Sequence, residues 1–343
     1  MAMRPTIPDL AKAAGVSVST VNRIVNNSAN VRQPTRERIL HAAEKIGFYG
    51  LGTIEHSFLN GRDTHKLGVL LQQGRRSFSQ TVSDALHNAA NTVSDCTIKL
   101  TVEYIDDLTE DTIASRLIDL GQRCDSVALI AAEHPILSDA IDLVLKSGVP
   151  VTALISPLSA KGNVSFVGLD NWKVGRTAAW TFDKIVKKPG KIGILLGNHR
   201  YRCQELNEGG FRTYFREFNP NFTLLEPLST YESSAVAREQ IETLFSNHPD
   251  MCGLFVSGGG VTGAIAALRD HPRGDDFVAV GYELFDATRT ALIDGTLNLV
   301  ISHPFETLAQ RALSTMIKAK KNGSKADAQQ AIFGFDIYTS QNV

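Results

Sequence analysis

The chain has 343 residues, 43% of them hydrophobic, with 35 Lys and Arg against 36 Asp and Glu for a formal charge of −1. That length suggests two or three domains, and the apolar share is ample for a packed α/β core. No run of about 18 apolar residues exists to span a membrane, and the opening Met-Ala-Met-Arg-Pro-Thr has no apolar stretch to direct export, so a cytoplasmic protein is expected.

The first element is a helix that Thr6 can cap, with Pro8 in its first turn and Asp9 three residues after the cap. Ile7, Leu10, Ala11 and Ala14 recur at helical spacing and form one buried face, and Gly15 ends the helix where a left-handed residue is wanted. Ser17 then caps a second helix. Val21, Ile24 and Val25 point inward, while Val18, Ser19, Thr20, Asn22 and Arg23 face out. A helix that opens on small polar residues, carries an Arg one turn later and follows a tight Gly turn suits a DNA major groove. From this stretch alone a generic helical hairpin is the alternative. Residues 31–48 form a third helix, with Pro34 at its first position, Gly47 at its end, and Ile39, Ala42, Ala43 and Ile46 as its core face. Residues 1–61 carry seven Lys and Arg against four Asp and Glu, a net +3 that leaves −4 on the remainder. A small basic head on a slightly acidic body is a modest electrostatic footprint for nucleic acid.

Thr6, Asp9, Leu10, Ala11, Ala14, Gly15, Val16, Ser17, Thr20, Val21, Arg23, Val25 and Asn26, followed by Thr35 to Ile39, fall at fixed spacings. In this pattern the chain resembles the lactose-repressor/galactose-repressor (LacI/GalR) family of bacterial transcription regulators. The resemblance implies a helix-turn-helix headpiece over 1–48, a linker or hinge helix over 49–65, and a ligand-binding and dimerisation body over 66–343. The expected fold is an all-α head plus two doubly wound α/β lobes of the periplasmic-binding-protein-like type I. On DNA, bases would be read near Val18, Ser19 and Arg23. Thr6, Ser17, Thr20, Asn26 and basic side chains of the head such as Arg32 would hold phosphates, with Asn22 on the same outward face. In the family, the linker holds a hinge helix whose leucine wedges into a minor-groove step. Leu59 occupies that place, in a helix expected over Thr53–Asn60, capped by Thr53 and ended by Gly61. Gly50 stands where the family usually has Pro, and with Gly52 it reads as a flexible joint, so a plain solvated linker is the other reading.

From Lys66 onward, buried strand-like runs alternate with helical patterns. Strands are expected at 67–71, 97–104, 126–131 and 150–155, with helices at 80–91, 109–120 and 137–146. A second series of strands follows at 191–196, 224–227, 253–256, 277–280 and 298–301, with helices at 208–217, 235–245, 262–269, 287–294 and 306–320. Continuous apolar strands between helices imply parallel sheets covered on both faces. Two such lobes in succession leave a cleft at the carboxyl ends of their strands, where ligands sit. The run 331–338 reads as one terminal strand, with no room beyond it for a tetramerising heptad segment, which favours a homodimer. Cys96, Cys124, Cys203 and Cys252 form no Cys-x-x-Cys pair and suit reduced thiols rather than a metal site.

Sugars need planar polar groups for their hydroxyls and aromatic faces for their C–H surfaces. Gln72, Arg76 and Phe78 after the first strand, Glu133 after the third, and the Asp170-Asn171-Trp172 run are candidates in or near the first lobe. Tyr201, Asn207, Glu283, His303 and Phe305 are candidates in the second, and the amides of Gly258 to Gly260 offer further donors. The whole reads as a ligand-controlled regulator, most simply a dimeric repressor on a pseudo-palindromic operator, with a mono- or disaccharide effector and no cofactor. A purine or a sugar phosphate stays open as the ligand. An enzyme is disfavoured, because no Gly-x-Gly-x-x-Gly follows a first strand and no Gly-Lys-Ser/Thr loop exists. A sugar-binding transport protein would leave the head unexplained.

Overall fold

The computed structural model describes residues 4–26, 31–60, 63–274, 276–323 and 327–343. The chain divides into two compact units, Met1–His65 with Val93–Lys99, and Lys66–Thr92 with Leu100–Val343.

The first unit holds α1 (Ile7–Ala14), α2 (Val18–Val25), α3 (Gln33–Ile46) and α4 (Leu51–Asn60). The amide and hydroxyl of Thr6 both donate to the Asp9 carboxylate, at 2.8 and 2.6 Å, which closes the first turn of α1. The Ser17 hydroxyl caps α2 by accepting the Thr20 amide at 3.3 Å. Gly15 and Gly47 end α1 and α3 in the left-handed conformation, at φ 63° and 65°. Leu10, Ala11, Val21, Ile24, Ile39, Ala43, Phe48 and Ile54 form one core. Two details differ from the sequence reading. Pro34 is the second residue of α3 rather than the first. The linker helix begins at Leu51, so Thr53 lies inside it and is not its cap. Gly50 is a tight turn whose carbonyl accepts the amides of Thr53 and Ile54, each at 3.1 Å. Two glycines suggested a loose joint, but Leu51 and Ile54 carry enough apolar surface to fasten α4 to the core that contains Phe48.

The second unit is built on two sheets. Its elements run β1 (Thr64–Gln72), α5 (Ser77–Thr92), β2 (Thr97–Ile105), α6 (Glu110–Arg123), β3 (Ser126–Leu129), α7 (Pro135–Lys146), β4 (Val151–Leu154), β5 (Ser165–Leu169) and α8 (Asn171–Ile185). They continue with β6 (Lys191–Leu196), α9 (Arg202–Phe218), β7 (Thr223–Leu224), β8 (Leu228–Ser229), α10 (Ser234–Asn247), β9 (Met251–Val256), α11 (Val261–Asp270) and β10 (Val278–Tyr282). Last come α12 (Asp286–Ile293), β11 (Leu299–Ser302), α13 (Phe305–Asn322), β12 (Gln330–Phe333) and β13 (Asp336–Tyr338). The first sheet has the order β12-β5-β4-β3-β1-β2, and the second β13-β11-β10-β9-β6-β7 with β8 also on β6. The pairs β1–β3, β3–β4, β4–β5 and β5–β12 are parallel, as are β6–β9, β9–β10 and β10–β11. The central strands β3, β4, β6 and β9 are buried on both faces, as the apolar runs required.

Four features depart from the sequence reading. β5 and α8 went unrecognised, because the Ser165–Leu169 run is short and the helix after it opens on polar residues. The single strand expected at 224–227 is replaced by the two-residue strands β7 and β8, both parallel to β6. The terminal run is two strands, β12 parallel to β5 and β13 antiparallel to β11, so the chain passes from one sheet to the other around Gly334. Nor are the lobes simply successive. Val174, Ala178 and Phe182 of α8 join the second lobe's core, whereas α13, which follows a second-lobe strand, packs on α5 and on β3, β4 and β5 of the first.

Candidate functional site

In the first unit the candidate surface is the outward face of α2. Val21 and Ile24 are buried, while Ser17, Val18, Ser19, Arg23 and Asn26 are exposed and Thr20 and Asn22 half-exposed. This sidedness follows from the apolar spacing alone. The hydroxyls of Ser19 and Thr20 lie 2.9 and 2.8 Å from that of Ser17, so the start of the helix is a small hydroxyl cluster. Thr6 is exposed, but its hydroxyl is committed to Asp9. This bond is the main reason the Asp9 carboxyl sits below the usual carboxylate range. Arg32 is exposed at the start of α3. Arg36, not anticipated, is buried and donates to the Val31 carbonyl at 3.0 Å, which ties down the entry to α3. Leu59 lies in α4, with its side chain outside the described residues.

In the second unit a cleft of about 680 Å³ opens at the carboxyl ends of the strands of both sheets, where open α/β folds bind ligands. The end of β1, the loop after it and the start of α5 supply Gln72, Arg76 and Phe78, and Ile130 and Ile155 directly follow β3 and β4. From the other lobe come Tyr201 and Gln204 at the start of α9, Glu232 after β8, Ser257 to Gly260 after β9, and Glu283 and Phe285 after β10. The lining thus mixes amides, carboxylates and aromatic faces. Its polar groups are tied across the lobes: the Tyr201 hydroxyl donates to the Gln72 side-chain oxygen, and Arg76 pairs with Glu232 at 3.3 Å. Farther along the seam, Arg200 pairs with Glu110 at 2.7 Å and Arg202 donates to the Ser159 hydroxyl at 3.2 Å. Burial raises the Tyr201 hydroxyl above its ordinary range and pushes the Cys203 thiol up to about 12, so neither ionises near neutrality.

Among the described residues, five non-glycine residues have left-handed backbone: Gln73, Ile155, Tyr231, Glu232 and Glu283. All five line this cleft. Such conformations cost about 1–3 kcal/mol each and persist only where the surroundings enforce them, which marks the cleft as a constructed site.

The sequence candidates separate clearly. Gln72, Arg76, Phe78, Tyr201 and Glu283 line the cleft. His303 and Phe305 stand behind its wall. His303 donates its amide to the Glu283 carboxylate at 3.0 Å and brings Nδ1 within 2.6 Å of it, while Phe305 packs edge-on to Phe78 with ring centroids 6.0 Å apart. Glu133, Asp170, Asn171, Trp172 and Asn207 are not in the lining. Glu133 lies on the seam, 3.6 Å from Arg202. Asp170 caps α8 by accepting the Lys173 amide at 3.2 Å. Asn171 and Asn207 are buried and bonded to each other at 3.1 Å, with Asn207 also reaching the Ser257 hydroxyl at 3.0 Å. They meet because α8 and α9 pack backbone to backbone: a Cβ on Gly175 would lie 1.8 Å from the Asn207 carbonyl oxygen, and one on Gly210 2.3 Å from that of Trp172. Gln204 and Glu232 were not found from sequence. Their positions depend on the loops around β8 and α9, which no apolar pattern marks.

Two architectures thus meet in one chain, a helix-turn-helix head and a two-lobed body with a cleft. Residues 6–50 match the lacI family of bacterial regulatory proteins, and residues 67–325 match the periplasmic binding protein domain. The chain belongs to the LacI/GalR family of transcription regulators, with a periplasmic-binding-protein-like type I body. It is similar to the ribose operon repressor of Bacillus subtilis, 24% identical over 91% of this chain and 90% of that protein. It is also 24% identical to the HTH-type transcriptional regulator MalR of Clostridium butyricum, over 82% of this chain and 84% of that one. Among solved structures, a periplasmic solute binding protein from Actinobacillus succinogenes with bound D-allose superposes with a TM-score of 0.73 at 16% identity, covering 81% of this chain and 98% of that chain. That likeness shows the fold of the body.

Proposed function

We propose that the protein is a ligand-responsive repressor that binds a pseudo-palindromic operator as a homodimer, with its affinity set by a small sugar in the cleft of the body. The observation that carries this reading is the strained, polar and aromatic 680 Å³ cleft in a chain whose head exposes the outward face of a recognition helix. Val18, Ser19 and Arg23 read base edges in the major groove, and Arg23 is the candidate for a bidentate contact to guanine. Ser17, Thr20, Asn22, Asn26 and Arg32 are assigned to phosphates or to the adjoining backbone. Thr6 is the weakest of the phosphate candidates, since its donor is already used by Asp9.

In the cleft, Gln72, Gln204 and Glu232 supply hydrogen-bonding groups, and Phe78, Tyr201 and Phe285 supply aromatic surface for a pyranose or furanose ring. The relatives support this assignment through their names: a ribose operon repressor, and a D-apiose import binding protein of Paraburkholderia graminis at 22% identity over 66% of this chain and 74% of that one. A regulator acts inside the cell, and among the described residues no helix is long and apolar enough to cross a membrane. The test is retardation of DNA selected from a random pool by the full chain. Binding should require an intact Arg23 and weaken steeply as salt rises. No retardation at low salt would overturn the reading.

A further inference from the structure

Glu232 follows a two-residue strand and has φ 59°, next to Tyr231 at 52°. Two consecutive left-handed non-glycine residues are costly, so something must hold this carboxylate in place. The holding groups are in view. Gln204 accepts the amides of Gly197 and Asn198 through Oε1, at 2.7 and 3.0 Å, which fixes its orientation and aims its Nε2 at Glu232 Oε1, 3.1 Å away. Arg76, from the opposite lobe, donates one guanidinium nitrogen to Glu232 Oε2 at 3.3 Å and another to the Glu232 carbonyl. The carboxylate lies between the ends of β6 and β9. A Cβ on Gly197 would fall 1.6 Å from one carboxylate oxygen, and a Cβ on Gly259 1.7 Å from the other. Only glycine at both positions leaves room for it.

The charged groups lining the cleft are Arg75, Arg76, Glu232 and Glu283, two of each sign. Glu283 is satisfied from within, by the Ser302 hydroxyl and the His303 amide, each at 3.0 Å. Arg75 is exposed to solvent, and Arg76 is balanced by Glu232, 3.3 Å away. Without that carboxylate, an arginine at the mouth of a cleft is the usual instrument for binding a phosphate or carboxylate. With it, an anionic ligand meets a fixed like charge in a partly desolvated site, while hydroxyls of an uncharged ligand find an acceptor-only group.

We infer that Glu232 is the charge-specificity residue of the cleft: held by Arg76, Gln204 and the Gly197–Gly259 cradle, it admits an uncharged polyol and excludes the phosphorylated form of the same sugar. This rests on the cleft being the effector site. The test is calorimetric titration of the full chain with D-ribose, D-glucose and D-allose and with their 5- or 6-phosphates. For whichever sugar binds, the phosphate ester should bind at least about 100-fold more weakly. Glu232→Gln, which keeps the shape and removes the charge, should narrow that gap at least tenfold by tightening the ester. The double variant Arg76→Gln/Glu232→Gln, again balanced, should lose the gain. If Glu232→Gln does not fold, Arg76→Gln alone should widen the gap beyond that of the unaltered chain. A chain that prefers the ester, or a gap unchanged in Glu232→Gln, overturns the inference and leaves the effector reading standing. Binding of no neutral sugar, with ester binding gained in Glu232→Gln, counts against the sugar reading and upholds the role of Glu232. Binding of nothing by any variant overturns both.

Discussion

Ile54 carries the claim that the segment after the third helix belongs to the head. It has no exposed surface and sits in the same core as Phe48, Leu10 and Ile39. Ile54→Ala deletes three carbons, each contributing about 0.8 kcal/mol by burial. The cavity left behind brings the expected loss to about 2–4 kcal/mol. A unit of this size has about 4–11 kcal/mol in all, scaling at about 0.05–0.15 per residue, so the variant should lose a large share of it. Native-state hydrogen exchange on the full chain reads the loss locally: amides of α1 and α3 should exchange faster by that free energy. Ile54→Val should cost only about 0.5–1.5 kcal/mol. Ile332→Ala, at a residue 54% exposed on β12, should leave the head unchanged. A loss below about 0.5 kcal/mol for Ile54→Ala would refute the packing of α4 as part of the head's core.

Three further outcomes are expected. Arg23→Ala should weaken binding to selected DNA by about 1–3 kcal/mol and relax sequence preference at one base pair, measured by fluorescence anisotropy on single-substitution duplexes. Gly175→Ala should destabilise the body by at least about 1–3 kcal/mol in thermal unfolding, since its methyl meets the Asn207 backbone and α8 and α9 must part. The Asp9 carboxyl is held below its ordinary 3.8 by Thr6, so its contribution to α1 is full above that value and fades as pH falls through the lower folded value; the Asp9→Asn head, followed by hydrogen exchange, should lack this acid-induced weakening.

The head was legible because each signal is local: apolar residues at helical spacing, Ser17 as a cap, and Gly15 and Gly47 as stops. The near side of the cleft was legible for a similar reason, since Gln72, Arg76 and Phe78 directly follow a continuous buried strand. The misplaced candidates share a different cause. Asn171 and Asn207 look like binding groups in sequence, but glycines at 175 and 210 let two helices close around them, and Trp172 is left 40% exposed outside the cleft lining. Whether a polar side chain faces ligand or a neighbouring helix is decided by that packing, not by its own neighbours in the chain. Glu232 and Gln204 show the converse. Their roles come from a bond between them and from an arginine 156 residues away in sequence from Glu232, which no local pattern encodes.

The coupling between cleft and DNA is the claim on which the rest depends. The direct measurement is the affinity of the full chain for selected operator DNA with and without a saturating sugar that binds the cleft. A shift of about 1–3 kcal/mol, or 5–150-fold, is predicted, with the reciprocal shift in sugar affinity when operator is present. Equal operator affinity in both conditions, with the cleft shown to be occupied, would contradict the account.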